Sequence, residues 1–221
     1  GGTIRFKEKG DYHLKAAVID STGRSFEYTS PVMVYPVINM DFTIEKTTHT
    51  DKPVTVQTQL IEAGKLPVVW SVTKDGTEVA VSDYIEGSLG NDGGNIRFTE
   101  KGSYTLTATT SDETGRSFKN SNEIKVYPVP QLVFTLPKAA HTDDIITVNI
   151  TTADMDGLTV KWYVNNMQGF QDWDTYIDGT LGNNGGDIRF KLAGNYGIEA
   201  SVTDEIGRVF QFNCENKIEI L

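Results

Sequence analysis

Two glycine-rich stretches of the sequence hold acidic side chains whose spacing could bind a cation. The stretch EGSLGNDGGN begins at Glu86 and includes Asp92, and the stretch DGTLGNNGGD begins at Asp178 and ends at Asp187. Carboxylate and amide oxygens are the ligands that Ca²⁺ takes in proteins, so these four residues are weak candidate metal ligands. Neither stretch has EF-hand spacing, and glycine and asparagine also provide the positive φ angles of tight turns. The favoured interpretation is a structural turn, with calcium as the alternative.

Four closely spaced side chains form a candidate ligand-contact surface: Tyr163, Phe170, Trp173 and Asp174. Aromatic rings beside acidic and amide groups stack well on sugars or peptides, because each ring offers a large area at a low entropic cost. Period-two alternation predicts that Tyr163 faces away from the core side that holds Trp162. The alternative is that these rings pack onto their own domain.

Nucleophilic catalysis requires a base beside a serine or cysteine, oriented by a carboxylate. The histidines are His13, His49 and His141, and the single cysteine is Cys214. His49 and His141 are both followed by Thr-Asp, a pattern typical of a turn in which a side chain binds nearby backbone. We therefore predict no catalytic site, no cofactor site and no enzymatic activity.

The chain is built from a repeat. The sequences GGTIRF, GGNIRF and GGDIRF begin at Gly1, Gly93 and Gly185, which gives a period of 92 residues at both steps. The first halves of the two full units also align without a gap, so that Trp70 matches Trp162. A match of this length indicates duplicated domains.

The ends of the copies define the predicted domains. The sequence VYPV closes the first two copies, and its proline suits a domain junction because it cannot donate to a central strand. The complete modules are therefore 37–128 and 129–221. Residues 1–36 correspond to the second half of a module, and the chain is expected to be part of a longer protein.

Alternating apolar and polar residues, separated by Gly, Asn and Asp turns, predict antiparallel strands. In the module 37–128, for example, Tyr104, Leu106 and Ala108 share one face of a strand. About seven short strands per module, without helical periodicity, predict an all-β sandwich of two sheets. The recurrent set of Arg97, Asp112 and Arg116 is expected to stabilise a turn.

One motif resembles a known family. It reads Gly-x-Tyr-x-apolar-x-Ala followed by Asp-x-x-Gly, with Tyr104 at the spacing of the tyrosine corner of immunoglobulin-like domains. It is similar to the closing half of PKD and related bacterial Ig-like repeats. The opening half differs, since Trp70 leads into Thr-Lys-Asp-Gly rather than the usual Asp-Phe-Gly-Asp-Gly turn of PKD modules. The resemblance therefore extends to the broader bacterial Ig-like class and implies tandem immunoglobulin-like modules of cell-surface or secreted proteins.

The composition of the chain excludes some classes of partner and of protein. The formal net charge is −10 and the pI is about 4.8, so the surface repels phosphate backbones and nucleic acid is an unsuitable partner. No apolar run reaches the ~18–20 residues of a membrane span. One cysteine cannot form an internal disulfide, which excludes a disulfide scaffold.

Residues 1–36 carry an apolar face with nothing in the sequence to cover it. Its members are Ile4, Phe6, Tyr12, Leu14, Phe26 and Val34. A few strands with one apolar face and an open edge are not stable alone in water. We expect a strand-supplying fragment, or a neighbouring copy, to complete this half-module.

These patterns predict a non-enzymatic, structural or adhesive repeat region of a bacterial extracellular surface protein, in which neighbouring modules of one polypeptide form a semi-rigid stalk. One alternative is a carbohydrate- or protein-binding module whose terminal domain contacts a host glycan or protein. Another is an accessory region of a larger secreted enzyme or of a phage tail fibre. The predicted location is extracellular, at the cell surface.

Overall fold

The computed structural model describes residues 2–61, 66–214 and 216–221. The chain divides into two units, Gly1–Tyr127 and Pro128–Leu221, and each is described by itself. Almost all of their regular secondary structure is β-strand, which confirms the predicted all-β, immunoglobulin-like fold class.

The first unit begins with a hairpin of two long strands and continues with a sandwich. The hairpin strands are β1 (Gly10–Ile19) and β2 (Ser25–Val34). The sandwich elements are β3 (Asn39–Thr43), β4 (Thr47–His49), β5 (Val54–Ile61), β6 (Val69–Lys74), β7 (Thr77–Val79), α1 (Val81–Tyr84), β8 (Ile85–Gly87), β9 (Gly93–Phe98), β10 (Gly102–Ser111) and β11 (Ser117–Tyr127).

Two sheets pack face to face in this sandwich. One has the strand order β3-β5-β9-β8 and the other β4-β11-β10-β6-β7. Ring contacts join the sheets: Phe42 of β3 meets Trp70 of β6 edge to face at 5.1 Å between centroids, and Phe98 of β9 lies 4.6 Å from Tyr104 of β10. The alternating residues of β10 are buried, so the predicted inward face is the core face.

Within this sheet, β4 runs parallel to β11, whereas the other pairs are antiparallel. The alternation of apolar residues predicts that a segment is extended but contains no information about the direction of its neighbour. Thr48 and His49 of β4 are buried as a result.

The second unit repeats this plan. Its elements are β12 (Gln131–Phe134), β13 (Ala139–Ala140), β14 (Ile146–Ala153), β15 (Val160–Asn166), β16 (Gly169–Gln171), α2 (Trp173–Tyr176), β17 (Ile177–Gly179), β18 (Gly185–Phe190), β19 (Gly194–Thr203), β20 (Val209–Asn213) and β21 (Ile218–Ile220). The sheets have the orders β12-β14-β18-β17 and β13-β21-β19-β15-β16, with β20 also paired to β19. Phe134 meets Trp162 edge to face at 5.1 Å, as Phe42 meets Trp70 in the first unit.

The hairpin of β1 and β2 is a separate two-stranded sheet. Its register matches that of β10 and β11, since Gly10 pairs with Val34 as Gly102 pairs with Val126. Residues 2–6, which align with most of β9, form no strand. The apolar side chains of this hairpin remain largely exposed.

The tyrosine corner is present in each repeat. The hydroxyl of Tyr104 donates to the carbonyl of Glu100 at 2.9 Å, and that of Tyr12 donates to the carbonyl of Glu8 at 3.0 Å. Tyr196 makes a longer bond, 3.4 Å to the carbonyl of Ala193. Burial raises the pKa of Tyr104 to about 12, and the nearby carboxylates add to the shift. The phenol therefore stays protonated and remains a donor.

We expect Tyr104→Phe to lower the free energy of unfolding of the first sandwich by about 1 kcal/mol, because the hydrogen bond from the buried tyrosine to the carbonyl of Glu100 is lost. Tyr196→Phe is the matched control and should cost less, about 0.5 kcal/mol, because its bond is longer. Urea denaturation of the two variants measures both values. Equal losses would contradict the assignment of the effect to the hydroxyl bond.

Candidate functional site

Two of the four predicted contact residues form an exposed aromatic pair. Tyr163 lies on β15 and Phe170 on β16, and their ring centroids are 5.8 Å apart in an edge-to-face arrangement. Tyr163 is 40% exposed and Phe170 is 62% exposed, so both rings reach solvent on the outer face of the sheet. Two adjacent rings on a strand pair form a platform on which a flat ligand could stack.

Polar side chains border this pair, which we call the aromatic face. Glu199 of β19 lies directly opposite Tyr163 in the register, and Asn165 lies opposite Phe170. The Nδ2 group of Asn165 donates to a carboxylate oxygen of Glu199. Sequence reasoning missed Asn165 and Glu199. The alternation along β15 and β19 nevertheless predicts that both side chains lie on the outer face, as Tyr163 does.

Trp173 and Asp174 have different surroundings. Trp173 lies in the four-residue helix α2, packs against the core of the second unit, and donates its Nε1–H to the carbonyl of Gly179 at 3.0 Å. Asp174 is exposed, and its backbone carbonyl accepts a bond from Lys191 at 2.6 Å. The structure thus brings Tyr163 and Phe170 together. Ligand binding by any of these residues remains a prediction.

The first glycine-rich stretch uses its polar groups within the fold. A carboxylate oxygen of Glu86 forms an ion pair with Nη2 of Arg97 at 2.5 Å. The amide oxygen of Asn91 accepts from the backbone N–H of Val68 at 3.0 Å, and Trp70 donates its Nε1–H to the carbonyl of Gly90 at 3.0 Å. The carboxylate of Glu86 and the amide oxygen of Asn91 are therefore held by donors within the fold. Arg97, expected to belong to the turn with Asp112, pairs with Glu86 instead.

The second stretch is organised in the same way. Asp178 forms an ion pair with Lys191 at 3.0 Å, and Asp187 accepts from the hydroxyl of Thr147 at 2.6 Å. Asn183 accepts from the backbone N–H of Val160 at 2.9 Å, and Trp162 donates to the carbonyl of Gly182 at 3.2 Å.

Across both stretches, the carboxylates of Glu86, Asp92, Asp178 and Asp187 do not form a ligand set. Within residues 2–61, 66–214 and 216–221, no group of three or more His, Cys, Asp or Glu side chains could hold a metal ion. Calcium binding by these residues stays an untested prediction.

The candidate nucleophile and bases occupy unrelated places. His49 is buried, with its ring centroid 6.0 Å from that of Tyr127. His141 is exposed, and its backbone N–H donates to the carboxylate of Asp144 at 2.7 Å. Cys214 is half-buried against the core of the second unit.

An aspartate organises the turn that follows the tyrosine-bearing strand. One carboxylate oxygen of Asp112 accepts from the hydroxyl of Thr114 at 2.6 Å and from its backbone N–H at 3.0 Å, and the other accepts from Nε of Arg116 at 2.8 Å. The Thr114 hydroxyl is the main cause that lowers the pKa of Asp112 to about 2, and the Arg116 bonds add to it. Asp20 has the same arrangement, with a pKa of about 2.

The lowered pKa predicts a pH dependence. Because the folded-state pKa of Asp112 lies below its ordinary value of 3.8, its contribution to stability is present above about pH 4 and is lost as the pH falls toward 2. We expect Asp112→Asn to lower the Tm at pH 7, and the difference from the unsubstituted chain to shrink between pH 4 and pH 2. Thermal unfolding followed by circular dichroism measures this. A difference in Tm that is constant across this range would contradict the assignment.

Comparison with known proteins finds only distant structural similarity. No family model matches the chain, and no curated protein matches it. The chain is similar to an I-band fragment of titin, with a TM-score of 0.43 and 12% identity over 82% of this chain and 65% of that one. It is also similar to the insect immune protein hemolin, with a TM-score of 0.49 and 14% identity over 81% of this chain and 46% of that one.

A fragment of human CDH23 gives a TM-score of 0.40 and 12% identity over 96% of this chain and 74% of that one. The chain spans less than two thirds of the length of the titin and hemolin chains. Because all three TM-scores lie below 0.5, these similarities carry no argument about this chain. Neither short helix in the part of the chain that the structure describes has the length or apolar composition to cross a membrane.

Proposed function

We propose that this chain is a non-enzymatic structural or adhesive repeat region of a bacterial extracellular surface protein, in which tandem modules form a semi-rigid stalk. The observation that carries the proposal is that the polar groups recurring with the repeat serve the fold. The Trp-to-glycine-carbonyl bond and the asparagine-to-backbone bond occur at the same positions in both sandwiches.

Two further observations support this proposal. His49 is buried, Cys214 is half-buried against the core of the second unit, and within the described residues no group of three or more His, Cys, Asp or Glu side chains could hold a metal ion. The bacterial and surface assignment rests on the resemblance of the Gly-x-Tyr-x-apolar-x-Ala motif to bacterial Ig-like repeats.

The link between the two sandwiches is short and contains two prolines. β11 ends at Tyr127 and β12 begins at Gln131, so Pro128, Val129 and Pro130 form the connection. A proline ring restricts φ to about −65°, which limits the bending of such a link. A stalk needs this property, because a fully flexible connection would let successive modules fold back on one another.

Small-angle X-ray scattering of the chain and of a Pro128→Gly/Pro130→Gly variant tests the semi-rigid stalk. We expect the variant to have a broader distribution of interatomic distances, while circular dichroism shows unchanged β content. Identical scattering from both proteins would mean that the prolines do not restrict the link, and would contradict the proposal.

The aromatic face favours a second candidate function, contact with a glycan or a protein through the terminal domain. Tyr163 and Phe170 are exposed and adjacent, whereas the first sandwich has Ser71 and Glu78 at the same positions. Contiguous exposed apolar area is a feature of surfaces that contact a partner or a ligand.

The repeat provides the matched variant for this candidate. Tyr163→Ser/Phe170→Glu gives the second sandwich the residues that the first already carries at these sheet positions. We expect this double variant to lose at least about tenfold in affinity for a ligand found on a glycan array, with an unchanged Tm. Trp173→Ala is the control, and should lower the Tm because its ring packs on the core. Unchanged binding by the double variant would exclude the aromatic face as the contact.

A further inference from the structure

The strongest unexplained feature is the apolar face of the hairpin. Ile4 is 60% exposed and Leu14 is 41% exposed, whereas the equivalent Ile96 and Leu106 are 1% and 0% exposed. Phe26 is 56% exposed, although its equivalent in the second sandwich, Phe210, is buried. The hairpin thus exposes side chains at repeat positions that are buried in the core of a sandwich.

In the first sandwich, the strands that pair with β9, β10 and β11, apart from the pairing of β10 with β11, come from residues 37–92. β9 pairs with β5 and with β8, β10 pairs with β6, and the end of β11 pairs in parallel with β4. The hairpin has none of these neighbours among the described residues. This explains why residues 2–6 form no strand although β9 does, because a strand needs a partner for its N–H and C=O groups.

A glycine provides an independent indication of what is missing. A Cβ atom on Gly94 would lie 2.1 Å from the carbonyl oxygen of Ser88, and one on Gly186 would lie 2.6 Å from that of Thr180. Gly2 occupies the same repeat position, yet no atom lies within 4 Å of its Cβ position. The hairpin therefore has a glycine at the position where each sandwich needs one to admit the loop that carries Ser88 or Thr180, although no such loop approaches Gly2.

We propose that the apolar face of residues 2–34 is the docking surface of a first-half repeat segment, a polypeptide of the type of residues 37–92, located ahead of Gly1 in the same protein. Its occupant places a strand like β6 beside Tyr12–Ala17 and a parallel strand like β4 beside the end of β2. It also brings a strand like β5 beside residues 2–4 and a strand like β8 beside residues 4–6. The proposal rests on the repeat architecture of the proposed stalk.

This occupant is favoured over a second copy of the hairpin. Two hairpins packed face to face could bury Leu14 and Phe26. Neither hairpin, however, contains a loop equivalent to the one that carries Ser88 between β8 and β9. The contact made by Gly94 would then have no equivalent at Gly2. A first-half segment accounts for the apolar face, the open edge of β1 and the glycine together.

Restoring the repeat tests the proposal. A second copy of residues 37–92 is fused directly before Gly1 of the full chain, which reproduces the 92-residue spacing. We expect hydrogen exchange of the backbone amides of residues 12–17 to slow by at least about 100-fold, toward the rates of residues 104–109. A second fusion with residues 129–184 guards against one appended segment failing to fold.

The matched control fusion carries aspartate at the appended positions that correspond to Val56 and Val72, which are buried in the first sandwich. It should leave the exchange of residues 12–17 as fast as in the unfused chain. If neither unsubstituted fusion slows this exchange while both sandwiches keep theirs, the docking surface is overturned and the stalk is not. If the unfused chain already protects these amides and sediments as a dimer, the occupant is a second copy and the proposal is wrong.

Discussion

Phe98→Ala is expected to lower the free energy of unfolding of the first sandwich by about 3–5 kcal/mol, the usual cost of truncating a fully buried phenylalanine. Phe98 is 0% exposed and its ring lies 4.6 Å from that of Tyr104, on the opposite sheet. Alanine would leave a cavity between the sheets that the paired strands cannot close by small shifts. Differential scanning calorimetry should show the first sandwich unfolding at a lower temperature.

The repeat provides two matched variants for this measurement. Phe190→Ala should have an effect of the same size on the second sandwich, because Phe190 is also 0% exposed. Phe6→Ala alters the same repeat position in the hairpin, where the ring is half-exposed, and should change stability by no more than about 0.5 kcal/mol. A large loss from Phe6→Ala in the unfused chain would mean that this face is already covered. In the fused chain, by contrast, Phe6→Ala should become costly.

The strands of the sandwiches could be predicted because burial on one face produces a period-two pattern. Tyr104, Leu106 and Ala108 alternate with polar residues along β10, and all three are buried. The same signal is present in residues 2–6, where it predicts a strand that the structure does not contain. Alternation records which side chains can enter a core, whereas a strand also requires neighbouring backbone, which no local pattern specifies.

The periodicity of apolar residues could not predict the two helices. α1 and α2 have four residues each, which is close to one turn and too short to repeat an apolar position. A local signal exists only for α2, where the carboxylate of Asp172 caps the helix by accepting from the N–H of Thr175 at 3.1 Å. The backbone of α1 forms without a side-chain cap at Ala80.

The candidate site was predictable to the extent that it depends on strand faces. Tyr163 lies on a strand, so alternation placed it on the outer face, as observed. Trp173 lies in α2, where the alternation of a strand does not apply, and its ring packs against the core. The roles of Asn91 and Asn183 depend on backbone groups more than twenty residues away, which no sequence pattern within the loop reveals.

Gly93→Ala is expected to cost about 3 kcal/mol or more, because two independent effects add. Gly93 has φ of +91°, a conformation that strains an alanine by about 1–3 kcal/mol. Its Cβ atom would also lie 2.1 Å from the carbonyl oxygen of Val56, so β5 and β9 must separate where they are paired. Urea denaturation of the first sandwich measures the total.

Gly115→Ala separates the two effects. Gly115 has φ of +81° but no atom within 4 Å of its Cβ position, so only the backbone strain of about 1–2 kcal/mol remains. A loss from Gly93→Ala no larger than this would contradict the close approach of β5.

The same pair of variants distinguishes the structural-turn interpretation of this glycine-rich stretch from the calcium-site interpretation. If glycine is present at position 93 because backbone approaches it, added calcium should leave the unfolding midpoints of the unsubstituted chain and of both variants unchanged. A calcium-dependent rise in stability that Gly93→Ala abolishes and Gly115→Ala preserves would instead assign this loop to the metal.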